Sequence, residues 1–195
     1  MDGQPRFDGE YVLGYVRWHQ DEAFQEAAVA RGLPGFCIVL ELGGRNLAQA
    51  VLAEDISGDL GLIRPILQQL AACLDHIHGK EFVHCDFKMK NAIRKDSNGH
   101  WMAIDFDAAT PFGEPLGAKA STAICPPEMV EMRDGKPTLL ALQSVATEED
   151  PDAGAGKAEG SVVAKVDVLT AHPSFDSWSF GTVMYGLVVL VLQPH

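Results

Sequence analysis

His84-Cys85-Asp86-Phe87-Lys88-Met89-Lys90-Asn91, with Ile104-Asp105-Phe106-Asp107 shortly after it, decides how this chain is read. Between the two stretches lie short apolar segments, Ala92-Ile93-Arg94 and Trp101-Met102-Ala103-Ile104, separated by a turn that contains Asn98-Gly99. Asn-Gly supplies the two positive φ angles of a tight hairpin turn, so the segments are expected to pair. Pairing brings Asn91 and Asp105 close together, with Asp86 on the loop that enters the hairpin. An amide oxygen and a carboxylate so placed are the hard ligands that Mg²⁺ shares with nucleotide phosphates. A lone aspartate beside a hairpin is ordinarily a turn or cap residue; it is the joint spacing of Asp86, Asn91 and Asp105 that points to chemistry. A proton acceptor, a cation at Lys88 and two metal-seeking side chains make up the equipment of phosphoryl transfer.

Upstream of the motif, Ile63, Ile66, Leu67, Leu70, Leu74 and Ile77 recur at helical spacing, with Pro65 near the start and Gly79 past the end, which predicts an amphipathic helix over 63–77. Glu81-Phe82-Val83 is expected as a short strand leading into the polar loop. Nearer the amino terminus, 11–18 and 36–42 are rich in β-branched and aromatic residues and predict strands. The stretch 21–31 predicts a short helix closed by Gly32. The longest apolar run, 180–192, is too short for the ~20 residues of a membrane span and is interrupted by Gly181 and Gly186, so a fully buried helix is expected.

Composition narrows the classes further. The 195 residues are 47% hydrophobic, enough for one sizeable core. A formal charge of −12 speaks against general binding to nucleic acid or anionic membranes, because the needed excess of Lys and Arg is missing. Cys37, Cys73, Cys85 and Cys125 are widely spread without a C-x-x-C pair, and the amino terminus lacks a signal-peptide pattern. Reduced thiols and a cytoplasmic location are the expectation. His76, His78 and His100 have no ligand spacing and are expected to be solvated, whereas Trp178 is expected in the core.

The polar loop resembles the catalytic loop of eukaryotic protein kinases, and Asp105-Phe106-Asp107 resembles their metal-binding D-F-G triplet. Further likenesses follow in the family's order. Val39-Leu40-Glu41-Leu42-Gly43-Gly44 resembles the last small-lobe strand and hinge, Pro126-Pro127-Glu128 the end of the activation segment, and 176–181 the start of the buried helix that anchors the large lobe. The resemblance implies an α+β, protein-kinase-like fold. Residues 1–45 would be a remnant of the small β lobe with the hinge, and 46–195 an incomplete, mainly helical large lobe, with a disordered insertion at about 133–166.

It also implies an ATP-dependent serine/threonine protein kinase using Mg²⁺, with protein side chains as substrates. Asp86 would orient or accept the proton of the substrate hydroxyl, Lys88 would neutralise the transferred phosphoryl group, and Asn91 and Asp105 would hold the metal. Leu40 would be the gatekeeper, the backbone of Glu41 and Gly43 would bind adenine, and Ile93 would pack beneath it. Ser121 or Thr122 would support Lys88, His84 and Phe106 would stack in the hydrophobic spine, and Asp176 would hold the catalytic-loop backbone.

The chain also departs from the family. Its first lysine is Lys80, so no lysine upstream of the hinge can clamp the α- and β-phosphates, and a glycine loop is missing. Cys85 replaces an arginine and Asp107 a glycine. The chain reads as truncated at both ends, which would leave Glu128 buried without its partner arginine. Other readings therefore stand beside a protein kinase. They are a noncatalytic pseudokinase that binds partners, an incomplete gene product, and a small-molecule phosphotransferase resembling the aminoglycoside kinases, whose loops often end in I-D-F-D.

Overall fold

The helix expected over 63–77 organises the molecule. In the computed structural model, which describes residues 7–19, 22–32, 34, 37–116, 125–133, 136–139 and 169–189, it is α3 and runs over Leu60–His78. Ile63, Ile66, Leu70, Cys73, Leu74 and Ile77 form its buried stripe, each large apolar side chain contributing about 1.5–3 kcal/mol by leaving water. The helix begins earlier than the apolar period suggests because Asp59 caps it, its carboxylate accepting from the amides of Gly61 and Leu62. Pro65 therefore lies inside the helix. At the other end Gly79 stays right-handed (φ −63°), and the left-handed residue that reverses the chain is Glu81 (φ +62°).

Against α3 lies a three-stranded antiparallel sheet in the order β3 (Gly43–Asn46), β5 (Ala92–Lys95), β6 (Trp101–Ala103). The β5–β6 hairpin forms as expected, pairing Ala92 with Ala103 and Arg94 with Trp101. Its turn differs from expectation. Only Gly99 takes a positive φ (+72°), and the loop is closed by Gly99 N–H donating to the Lys95 carbonyl and Lys95 N–H to that of His100. Asn98 serves through its side chain instead, accepting from the His100 amide at 3.0 Å. The connection is thus longer than a two-residue turn.

A second helix, α2 (Leu47–Ala53), was not apparent from the apolar pattern. It is started by a reciprocal capping box, in which Asn46 Oδ1 accepts from the Gln49 amide and Gln49 Oε1 from the Asn46 amide. Just past its end, Glu54 accepts two hydrogen bonds from Arg94 (2.7 and 2.6 Å) and one from Arg45 (2.9 Å), tying α2 to the sheet. The Arg94 hydrogen bond lowers the Glu54 carboxyl from its usual 4.5, partial burial opposes this, and Arg45 adds to the lowering. The folded chain therefore binds this proton more weakly than the unfolded chain. The stabilisation is complete above about pH 4.5 and fades as pH falls through the lower folded value. Glu54→Gln should flatten the acid limb of the unfolding free energy measured in urea below pH 4.5; an unchanged limb would place this carboxylate outside the acid transition.

The amino-terminal strand expected over 11–18 is broken. Tyr11–Leu13 runs along β6, with Val12 bridged to Ala103, while β1 (Tyr15–His19) turns away to pair antiparallel with β2 (Cys37–Leu40). The break falls at Gly14, whose carbonyl accepts the Glu41 amide at 2.7 Å; a Cβ there would meet Glu41 Cδ at 2.7 Å. Helix α1 (Glu22–Val29) lies between these strands in sequence and is followed by left-handed Gly32 (φ +69°), as expected.

Two short pairs complete the sheets: β4 (Phe82–Val83) with β7 (Thr110–Pro111), and β8 (Val130–Arg133) with β9 (Lys136–Leu139). The β8–β9 hairpin covers the beginning of the expected insertion, and 140–166 lies outside the described residues. Helix α4 (Ser174–Val189) packs on α3 through Val183 and Leu187. It is not fully buried: Trp178, Met184, Tyr185 and Val188 are exposed, so the expectation of a core Trp178 fails. Apolar residues all round a helix do not reveal which face stays open. Among the described residues no helix is long and apolar enough to cross a membrane.

Candidate functional site

The polar loop is shaped from below by Asp176 on α4. This carboxylate is fully buried and accepts from the His84 amide (Oδ2, 2.8 Å) and the Cys85 amide (Oδ1, 3.0 Å). His78 Nε2 lies 2.9 Å from the same Oδ2, so this histidine at the end of α3 is an anchor and not the solvated residue expected. Cys85 is held left-handed (φ +65°), which costs a non-glycine residue on the order of 1 kcal/mol. Its thiol is pushed up to about 11, chiefly by burial, so it is protonated and unreactive at neutral pH.

Past this bend, Asp86, Lys88 and Asn91 converge. Lys88 Nζ lies 2.6 Å from Asp86 Oδ2, and the Asn91 amide group donates to the Asp86 carbonyl (2.8 Å) and to Asp86 Oδ2 (3.2 Å). Asn91 ends the single 3₁₀ turn Met89–Asn91 and is only 5% exposed. Because its Nδ2 is turned toward Asp86, its Oδ1 is directed away from that carboxylate. The hairpin delivers the second oxygen ligand. Ile104 N–H donates to the Asn91 carbonyl at 2.9 Å, which fixes Asp105 one residue beyond.

Asp105 is exposed and left-handed (φ +68°). In the Asp105-Phe106-Asp107 triplet the unusual backbone thus falls on the first residue; Asp107, in the glycine's position, has no positive φ. Phe106 packs on His84 with ring centroids 4.9 Å apart and planes tilted by 38°, and His84 Nε2 lies 3.0 Å from the Ile104 carbonyl.

The residues expected around adenine are less uniformly gathered. Gly43 lies directly over Ile93, where a Cβ would meet Ile93 Cδ1 at 2.5 Å, and Gly43 pairs with Lys95. Lys95 Nζ forms an ion pair with Glu41 Oε2 at 2.9 Å, and this hydrogen-bonded lysine holds the Glu41 carboxyl below its usual range. Leu40, at the end of β2, is 47% exposed.

Ser121 and Thr122 lie outside the described residues. Glu128 is exposed on the 3₁₀ turn Pro127–Met129, so the expected buried, unpaired carboxylate does not arise. His76 is likewise not simply solvated: its Nε2 accepts from the Asp8 amide at 2.9 Å and its ring stacks on Tyr11 at 4.8 Å. Phe7, which reaches Phe106, carried no signal in the sequence.

No family model matches the chain. Over 127 residues, 65% of its length, it is 24% identical to a probable serine/threonine-protein kinase of Dictyostelium discoideum, of which the match covers 18%. Among solved structures it resembles the Cydia pomonella granulovirus kinase PK-1, with a TM-score of 0.58 at 14% identity over 93% of this chain and 50% of the viral one. The chain therefore spans half or less of these relatives. Its fold is α+β and protein-kinase-like.

Proposed function

We propose that this protein-kinase-like domain binds ATP with Mg²⁺ and transfers the γ-phosphoryl group to serine or threonine hydroxyls of a protein. The observation that carries the reading is the single hydrogen-bonded knot of Asp86, Lys88 and Asn91, with Asn91 joined through its own carbonyl to the residue before Asp105. In this reading Asp86 receives or orients the hydroxyl proton and Lys88 stands beside it as the cation that offsets phosphoryl charge. Glu41 and Gly43 present backbone to the adenine, Leu40 borders it, and Ile93 forms its floor. Residues 1–45 serve as small lobe and hinge and 46–195 as large lobe.

The residues suit the ion. Asn91 spends its amide hydrogens on Asp86, which leaves an oxygen as its remaining donor atom, and Asp105 presents an exposed carboxylate. Among the described residues no three of His, Cys, Asp and Glu cluster as a cage made by protein alone. An ion at Asn91 and Asp105 would take its other oxygens from phosphates and water, the usual habit of Mg²⁺. When bound, it would neutralise charge on those phosphates.

Cys85 and Asp107, where the family carries an arginine and a glycine, favour a second reading, a noncatalytic binding module of the pseudokinase kind that keeps its fold to hold partners. Lys88 and the anchoring Asp176 favour peptide substrates over the small alcohols of aminoglycoside-kinase-like enzymes. A thermal-shift experiment separates that module from the nucleotide-using readings. ADP at about a hundredfold over its Kd with Mg²⁺ should raise Tm by roughly 5–10 °C, with no such rise in EDTA. Asp105→Asn should abolish the Mg²⁺-dependent part. An equal shift in the variant would remove Asp105 from the metal site, and no shift in the wild type would remove the nucleotide.

A further inference from the structure

The segment 7–13 does something that neither the nucleotide nor the substrate reading assigns to it. Phe7 stacks on Phe106 with ring centroids 5.1 Å apart and planes at 27°, and meets Phe82 and His76 edge-on, each at 6.1 Å. Because His84 lies against the same Phe106 ring, the three side chains form a continuous series, His84–Phe106–Phe7. One end of the series is immobile: His84 is fully buried and its amide is held by Asp176. The other end arrives on a separate piece of chain that is itself fastened. Asp8 donates its amide to His76 Nε2, Tyr11 stacks on His76, and the Tyr11 carbonyl accepts the Ala103 amide of β6 at 3.1 Å. Asp8 also closes a local turn, its carbonyl accepting from the amides of Tyr11 and Val12.

We propose that Phe7 is a positioning residue, and that the strap 7–13 clamps Phe106 against His84 and so holds Asp105 in its left-handed, outward-facing conformation. The physical need is clear from the backbone. A left-handed aspartate is unfavourable on its own and persists only where neighbours over-determine it. The residue before Asp105 is pinned by Asn91, and the residue after it is pinned by the two aromatic neighbours. Removing one neighbour frees one side of the constraint. The part that concerns the metal rests on Asp105 being its ligand; the part that concerns the turn does not.

The experiment has two arms on the full chain, comparing wild type with Phe7→Ala and Phe7→Tyr. In hydrogen exchange without ligand, Phe7→Ala should speed exchange across 104–109 at least tenfold, leave α4 as protected as in the wild type, and be restored by Phe7→Tyr. In ADP titrations, Phe7→Ala should weaken binding about tenfold with Mg²⁺ but leave affinity in EDTA unchanged, a split that general loosening of the fold would not produce. Unchanged protection of 104–109 overturns the clamp. Equal weakening with Mg²⁺ and in EDTA overturns its link to the metal ligand. Should Phe7→Ala expose α4 as well, Phe7→Leu keeps the apolar fill without the stacking ring, and wild-type protection of 104–109 in that variant overturns the proposal. If the wild type shows no Mg²⁺-dependent binding, the functional reading fails while the exchange arm still decides the clamp.

Discussion

Asp86→Asn lowers phosphoryl transfer to a serine- or threonine-containing peptide by about 10²–10⁴-fold and leaves nucleotide affinity unchanged. The magnitude is that expected when a positioned proton acceptor is lost from a transition state. Geometry makes the substitution clean. Asp86 Oδ2 receives Lys88 at 2.6 Å and Asn91 Nδ2 at 3.2 Å, and an asparagine oxygen in the same place accepts both while no longer taking a proton. The lost ion pair is partly open to solvent, with 29% of the Lys88 side chain and 13% of the Asp86 side chain exposed. Its contribution to folding is therefore about 1 kcal/mol or less. Steady-state transfer and ADP affinity measured on the same preparation separate the two effects. Equal transfer by wild type and variant excludes Asp86 from the reaction, whereas parallel loss of affinity shows a damaged pocket and not a missing base.

The parts of the fold that could be seen beforehand were those written in local pattern. The stripe on α3 has a period, and the β5–β6 pair has apolar runs around a glycine turn. The spacing from Asp86 through Asn91 to Asp105 is short enough for one hairpin to enforce. What escaped depends on partners far away in the chain. His76 meets the Asp8 amide 68 residues upstream and His78 meets Asp176 98 residues downstream, and an isolated histidine at a helix end has no periodicity to betray such a partner. Helix α2 did carry a local signal, Asn46 with Gln49 at the capping-box spacing, but it is only seven residues long and follows Gly43-Gly44, which reads as loop. Trp178 and Glu128 were misplaced for a common reason. Burial is a property of what lies opposite, and composition at the residue itself does not contain it.

The largest effect on folding belongs to Asp176→Ala, which should reduce the unfolding free energy by about 3–5 kcal/mol. The carboxylate is fully buried and answers three donors, the amides of His84 and Cys85 and the ring of His78. Alanine leaves the buried His84 amide and the part-buried Cys85 amide without acceptors, at about 1–3 kcal/mol for each unsatisfied group, and takes the anchor from the partly exposed His78 ring. For a domain whose total stability is on the order of 5–15 kcal/mol, that loss is a large share of the whole. It also releases the left-handed Cys85, whose amide Asp176 restrains, so the bend that presents Asp86 loses its support. Asp176→Asn keeps one acceptor oxygen but turns an amide toward donors, and should fall between wild type and alanine. Urea unfolding at neutral pH measures both variants. A loss below 1 kcal/mol in the alanine variant would mean that water replaces the carboxylate, and that the loop keeps its shape by contacts other than those to α4.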